Sequence, residues 1–264
     1  MDEQAKAWQV DVWDRMSQPY LQEIDERFAS VVEHVLARAN VASNQSVLDL
    51  GTGTGSVAIQ AARAVGPSGD VTGVDISADM LALAERRLLD ETNLVFRLGS
   101  AEDIPAVDAS FHVVLAGLSM MYVIDRAAAA REIARVLRPG GRFVASVWAG
   151  PDDCDIVKFQ AIAGSFAPDP PVPGVGPGAL ADPLSFQAEL LDAGIDTDVE
   201  TEELGFDFDD FDSAWEVLAG VTTASLEPDR QQEAKRAVQE AMWPNGEGPR
   251  HFRNVTQFIV GNKG

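Results

Sequence analysis

Two carboxylates and three glycines are the residues of this chain best placed to do chemistry. Asp49 stands two positions before Gly51, and Gly51, Gly53 and Gly55 then alternate with Thr52 and Thr54. Val47, Leu48 and Leu50 lead into the run, and Val57-Ala58-Ile59-Gln60-Ala61-Ala62 follows it at once. That order reads as strand, tight turn, helix. Glycine admits positive φ and leaves no Cβ between main chain and ligand. The helix start behind it offers unpaired N–H groups and the positive end of a dipole. Such a turn suits a small-molecule cofactor. The second carboxylate, Asp75, ends the stretch Asp70-Val71-Thr72-Gly73-Val74-Asp75, 20 positions after Gly55. A carboxylate at the C-terminal end of a strand can accept both hydroxyls of a ribose. Ser77 is the more natural cap for the helix that follows.

The spacing of the glycines narrows the cofactor. A dinucleotide-binding turn reads G-x-G-x-x-G, with an acid about 20 residues further on. Here the third glycine comes one position early, Ser56 fills the place the dinucleotide pattern gives to glycine, and Asp49 precedes the run. The pattern D-x-G-x-G-x-G resembles the signature of class I S-adenosyl-L-methionine (SAM)-dependent methyltransferases. Gly99-Ser100-Ala101-Glu102-Asp103-Ile104-Pro105 resembles the adenine-edge motif of that family, with Ser100 in place of the usual aspartate. The run R-E-I-A-R-V-L-R-P-G-G-R at 131–142 resembles the matching segment of small-molecule methyltransferases of ubiquinone and menaquinone biosynthesis. The resemblance is specific from about 46 to 148. It implies an α/β fold: a doubly wound, mostly parallel seven-stranded sheet of the Rossmann-like methyltransferase type. It also implies SAM as methyl donor and S-adenosyl-L-homocysteine (SAH) as product. The SAM site expected from motif and resemblance together comprises Asp49, Gly51, Thr52, Gly53, Gly55 and Asp75, with Ile76 and Met80 flanking the adenine, Ser100, Ala101 and Glu102 at its edge, and Gly117 after the fourth strand.

The elements that must hold these residues follow from periodicity. Trp8, Val12, Leu21, Ile24, Phe28, Val31, Val32, Val35 and Leu36 recur at helical spacing, with Pro19 dividing two segments. Residues 1–45 are therefore expected to form a helical flap. Trp13, Met16 and Tyr20 either cover cofactor and substrate or simply dock these helices on the core. Strands are expected at 46–50, 70–75, 94–98, 110–116, 142–148, 195–208 and 252–260. Residues 46–150 make the SAM-binding core. Residues 151–264 continue the same domain with a Pro- and Gly-rich loop over 167–183, a helical insertion at about 211–242 and the last strand. Met120, Met121 and Tyr122 follow the fourth strand, where they either line an apolar substrate pocket or pack as core. His112 begins the fourth strand, the end away from ligands. His251 is a candidate base by residue type alone, and a histidine without a role is the plainer reading. No base is obligatory where the methyl donor is already activated.

Composition sets outer bounds. The chain has 264 residues, 46% of them hydrophobic, enough for one large α/β domain. A net charge of -22 argues against a nucleic-acid partner, because phosphate contacts need clustered Lys and Arg. Cys154 is the only cysteine, so no intrachain disulfide can form. The start of the chain is acidic where a signal peptide would be basic. Its longest apolar run, at 113–124, is too short for a bilayer span. A cytoplasmic protein without a membrane span, monomeric or homodimeric, is the expectation. No metal site is expected: a Mg²⁺-dependent catechol-type site needs converging carboxylates and amides, and apart from Asp125 the sequence offers none that can be placed. Asp169-Pro170-Pro171-Val172 falls after the fifth strand and lacks the aromatic of base-methylating loops. The expected activity is methyl transfer to oxygen or carbon of a small, partly apolar metabolite. The rivals are a SAM-binding relative that does not methylate, pericyclase-like or a binding protein, and an NAD-dependent oxidoreductase.

Overall fold

The computed structural model describes residues 3–264; the first two residues of the expected N-terminal flap lie outside the described residues. Seven strands form where β-branched and apolar residues run together: β1 (Ser46–Leu50), β2 (Asp70–Asp75), β3 (Leu94–Leu98), β4 (Phe111–Gly117), β5 (Leu137–Trp148), β6 (Ile195–Phe208) and β7 (Arg250–Lys263). They make one sheet in the order β3-β2-β1-β4-β5-β7-β6. Strands β1 to β5 run parallel, and β7 lies antiparallel between β5 and β6. Val47, Leu48 and Leu50 of β1 and Val113 to Ala116 of β4 are fully buried. Helices cover both faces of a parallel sheet, so its central strands read as unbroken apolar runs. The chain leaves β1 toward β2 and β3 and then returns to place β4 on the other side of β1. The carboxyl ends of β1 and β4 thus flank a topological switch point, where α/β sheets open a ligand crevice.

Ten α-helices are described: α1 (Glu3–Pro19), α2 (Ala29–Ala39), α3 (Ser56–Val65), α4 (Ala78–Arg86), α5 (Arg126–Val136), α6 (Asp155–Gly164), α7 (Leu184–Asp192), α8 (Phe211–Leu218), α9 (Gly220–Thr223) and α10 (Pro228–Met242). Pro19 closes α1, and a π-helical turn, Tyr20–Ile24, continues directly from it. Such wide turns recur at functional sites. Ser77 caps α4 by accepting from the Met80 N–H at 3.1 Å, and Asp125 caps α5 by accepting from Ala128 at 2.8 Å.

Two local differences from the sequence reading have physical causes. Strand β5 begins at Leu137, five positions before the expected 142. Leu137 pairs with Phe111 and Arg142 pairs with Val113. The Arg138-Pro139-Gly140-Gly141 turn is therefore a bulge inside a continuous strand, with Gly140 at φ 73. Helix α6 has no counterpart in the sequence reading, because its apolar residues lie on all sides and carry no clear period. Its start is fixed from far away: the buried Asn254 side chain accepts from the Ile156 N–H at 3.0 Å. The edge strand β6 alternates acids outward, and Arg38 of α2 pairs with two of them, Glu200 at 2.9 Å and Glu202 at 3.0 Å. No helix among the described residues is long and apolar enough to cross a membrane.

Candidate functional site

The turn after β1 is tied to the end of β2. Gly51 and Thr52 both donate their N–H to the Val74 carbonyl, at 2.8 and 3.0 Å. Asp75 then joins the two loops: Oδ2 accepts from the Gly53 N–H at 2.8 Å and Oδ1 from the Ser77 N–H at 2.9 Å. Each oxygen keeps a lone pair, and the carboxyl lines the main cavity. Burial raises its pKa, and the N–H groups offset this in part. Two glycines are required for different reasons. At Gly51 (φ 65) an added Cβ would lie 2.4 Å from the Ser119 Cβ, so the loop after β4 can press on bare backbone only. At Gly53 (φ 53) an added Cβ would meet no protein atom within 4 Å and would stand in the open crevice. Gly55 lines neither ligand cavity. A Cβ there would face Phe96 at 3.0 Å and Ala84 at 3.2 Å, so the missing side chain of this glycine serves helix–sheet packing.

Asp49 is the most unusual group in the site. It is 1% exposed, and its Oδ2 accepts from the Thr52 hydroxyl at 2.6 Å. Its Oδ1 is buried without a hydrogen bond of good geometry, and the Ala58 N–H is close enough to the carboxylate to pull its pKa down. Burial pushes its pKa up to about 7, with the Thr52 hydroxyl working against the shift. Asp49 and Thr52 line a smaller cavity that shares Gly51, Gly53, Tyr20 and Gly117 with the main one. The two cavities thus meet at the glycine turn.

The main cavity sits at the switch point under a roof made by α1 and the π turn. Gln9, Trp13, Tyr20, Ile24 and Phe28 face down into it. Polar contacts at three residues, Gln9, Asp14 and Asp25, pin the roof. The Gln9 side-chain amide donates to the Tyr122 carbonyl. The Ser77 hydroxyl donates to Asp14 at 2.5 Å. Asp25 accepts from the Thr54 and Ser56 hydroxyls, at 2.8 and 2.6 Å, and pairs with Arg87 at 2.9 Å. Trp13 packs edge-on against Tyr122, ring centres 4.8 Å apart. Ile76, Met80, Ser100, Ala101 and Glu102 line the cavity together, as do Gly117, Met120, Met121 and Tyr122. Both methionines are at the same time core, each 1% exposed. Met16 does not line the cavity. A Cβ added at Gly220 would approach its sulfur to 3.2 Å, which places Met16 between α1 and α9 as a docking residue.

Burial raises the pKa of both Tyr20 and Tyr122 far above the ordinary phenol range, so both stay protonated and can donate a hydrogen bond. His251 lies away from the cavity on β7. Its Nδ1 is 2.8 Å from Asp207 on exposed strand surface, so the structure does not bring it together with the other candidate residues. His112 receives the Ser46 N–H, and His34 stacks on Phe258. Among the described residues no Lys, Arg or His lines the cavity, and no cluster of metal-ligating side chains is present.

Several lining residues carry no signal of their role in the sequence: Leu118, Trp148, Ile156, Gln160, Leu218 and Val221. Trp148 ends β5 at the carboxyl edge, a position that could have marked it. Leu118 follows β4, and the others come from α6 and the insertion, which also carries Trp215 and is followed by Trp243. Those two tryptophans pack into an aromatic cluster with Phe159, Phe211 and Phe252. Pro177 brings the Pro- and Gly-rich loop to the cavity, and Gly176 donates its N–H to the Met121 carbonyl at 3.1 Å.

A family profile described as a methyltransferase domain matches residues 47–141. A demethylmenaquinone methyltransferase of Halalkalibacterium halodurans is 39% identical over 111 residues, covering 41% of this chain and 45% of the relative. A ubiquinone/menaquinone biosynthesis C-methyltransferase of Hahella chejuensis is 37% identical over 134 residues, covering 47% of this chain and 54% of the relative. The chain matches about half the length of these curated relatives. The solved structure of the YcgJ protein from Bacillus subtilis superposes with a TM-score of 0.65 at 20% identity, over 89% of this chain and 98% of that one. At that identity the likeness is one of fold.

Proposed function

We propose, from a chain whose residues 47–141 match a methyltransferase-domain profile, that it is a class I SAM-dependent methyltransferase that moves the methyl group of SAM to an oxygen or carbon of a small, partly apolar molecule and releases SAH. The observation that carries this reading is a pair of adjoining cavities that share Tyr20, Phe28, Gly51, Gly53, Gly117 and Leu118. Between them they set the Asp49–Gly53 turn and Asp75 beside an aromatic chamber under the α1 roof. The residues fit the donor. The Asp49 Oδ1, which lacks a hydrogen bond of good geometry, suits an ammonium group, which would satisfy this buried acceptor. The empty space over Gly53 suits a ligand chain lying on bare backbone. Asp75 keeps lone pairs for ribose hydroxyls, Ile76 and Met80 offer apolar faces to the adenine, and Ser100, Ala101 and Glu102 edge it.

Bound SAM supplies a methyl group on positively charged sulfur, an electrophile that needs no further activation. The chain's own residues then align and dry the site. Trp13, Tyr20 and Phe28 close the chamber from above, and Met120, Met121 and Trp148 wall it. Tyr20 and Tyr122, held protonated, act as hydrogen-bond donors rather than bases. The nucleophilicity of the acceptor itself drives the transfer: the bond from sulfur to methyl breaks as the bond to the acceptor forms, SAH leaves neutral at sulfur, and the proton the acceptor gives up passes to water. Calorimetric titration of the chain with SAM, SAH and NADH tests the donor assignment. Binding of SAM and SAH without NADH is expected. No heat with either sulfur compound would remove the reading. Radiolabelled methyl transfer to a panel of phenols, enols and acids then addresses the acceptor atom.

A further inference from the structure

We propose that Gln160 selects the methyl acceptor: its side-chain amide seats a neutral hydroxyl or carbonyl oxygen at the end of the chamber built by α6, α8 and α9. The proposal rests on the methyltransferase reading of the same cavity. On that wall the lining residues are Ile156, Gln160, Leu218 and Val221, and Gln160 is the one polar side chain among them. It is 6% exposed. A buried amide on an apolar wall is costly unless its donors and acceptors are used.

Two tethers fix how this amide faces. Nε2 donates to the Leu218 carbonyl at 2.6 Å, and Oε1 accepts from the Thr222 hydroxyl at 3.1 Å. The opposite polarity of the tethers settles which end is nitrogen, because Oε1 could not sit 2.6 Å from a carbonyl oxygen. One N–H and one Oε1 lone pair are left over. An oxygen ligand that accepts, donates or does both matches that remainder. Charge points the same way. Asp75 and Glu102 line the cavity and no cationic side chain does, so an anionic acceptor finds no partner and two carboxylates. A neutral oxygen on an otherwise apolar body is the complement that remains.

The full-length chain saturated with SAH can be titrated with four probes of one shape, followed by ligand-observed NMR: 4-butylphenol, 4-butylacetophenone, 4-butyltoluene and 4-butylbenzoate. Parent protein should bind the phenol and the ketone roughly tenfold more tightly than the toluene, the equivalent of about 1.4 kcal/mol, and the benzoate least. Gln160→Leu should level phenol, ketone and toluene by weakening the first two. Gln160→Glu, buried as a neutral carboxyl, keeps both tethers and lacks the spare N–H, so it should lose the preference for the ketone. It also serves if the leucine variant does not fold. A parent protein without preference, or a glutamate variant that retains the ketone preference, would overturn the proposal. A merely structural Gln160 would change melting temperature and leave probe ranking intact. Loss of SAH heat in the parent protein would instead strike the donor reading.

Discussion

Asp49→Asn isolates the group whose environment is least like water. Burial moves the pKa of its carboxyl from an ordinary 3.8 to about 7. Every tenfold gain in proton affinity is worth about 1.4 kcal/mol, so the unliganded fold carries a penalty on the order of 4 kcal/mol when Asp49 is ionised. The sign follows from proton binding. The folded chain holds this proton more tightly than the unfolded chain, so the contribution is whole below about pH 4 and is lost as pH rises through about 7. The asparagine variant should therefore melt higher than the parent at pH 8 and show a smaller difference at pH 4. Ligand binding should run oppositely. An ammonium group prefers the ionised carboxylate, which rises from about a tenth of molecules at pH 6 to about nine tenths at pH 8. SAH affinity of the parent should thus tighten about tenfold over that interval. In Asp49→Asn the dependence should flatten, and affinity at pH 8 should fall by about 1.5–3 kcal/mol, the worth of a hydrogen bond to a charged group. Asp75 is raised in the same direction and repels Asp49, so the two carboxyls titrate as a pair and the difference between the proteins reports Asp49 together with its effect on Asp75. Calorimetry in two buffers of different ionisation enthalpy counts the protons released. Equal affinity at pH 6 and 8 in the parent, or an unchanged profile in the variant, would refute the pairing.

Asp75→Ala removes the acceptor of the Gly53 and Ser77 N–H groups as well as the ribose contacts. SAH binding by calorimetry should weaken by roughly 1.5–3 kcal/mol, and undiminished affinity would take Asp75 out of the site. Gly53→Ala puts a methyl in the open crevice at φ 53. Thermal melting should fall only about 2–4 °C, for a strain near 1 kcal/mol, while SAM affinity drops at least about tenfold. A variant that binds normally would show that the ligand lies elsewhere. His251→Ala breaks an exposed pair with Asp207 worth about 0–1 kcal/mol. Methyl-transfer turnover should stay within about twofold of the parent, and a larger loss would assign that side chain a role in catalysis.

The parts of the site legible in sequence are those set by local rules. Strands β2, β3 and β6 have the boundaries their residue patterns predict, because alternation and flanking turns act within a few residues. Asp75 and Ser77 can be told apart because a strand-terminal acid and a helix cap occupy distinct places. What sequence does not reveal depends on distant partners. Gln160 gains meaning only through Leu218 and Thr222, about 60 residues on. Met16 and Tyr20 have the same helical character, yet one faces Gly220 and the other the cavity. Gly55 fits the motif by spacing, but its missing Cβ is needed by Phe96 and Ala84. His251 stands out by residue type alone and lies on a solvated strand.

Two of the three fasteners of the roof end on the segments that would grip the nucleoside, and the third, Gln9, ends on the Tyr122 carbonyl at the chamber wall. Ser77 lies two residues past Asp75, and Thr54 and Ser56 flank Gly55. A ligand that stiffens those segments stiffens the cover with them, so donor loading and sealing of the chamber become one event. Amide exchange over residues 3–28 should slow when SAH is added, and unchanged exchange would uncouple the two. The acceptor would then enter and the methylated product leave only as often as the fasteners let go, which ties the pace of the cycle to a handful of hydroxyl and amide contacts far from the reacting carbon.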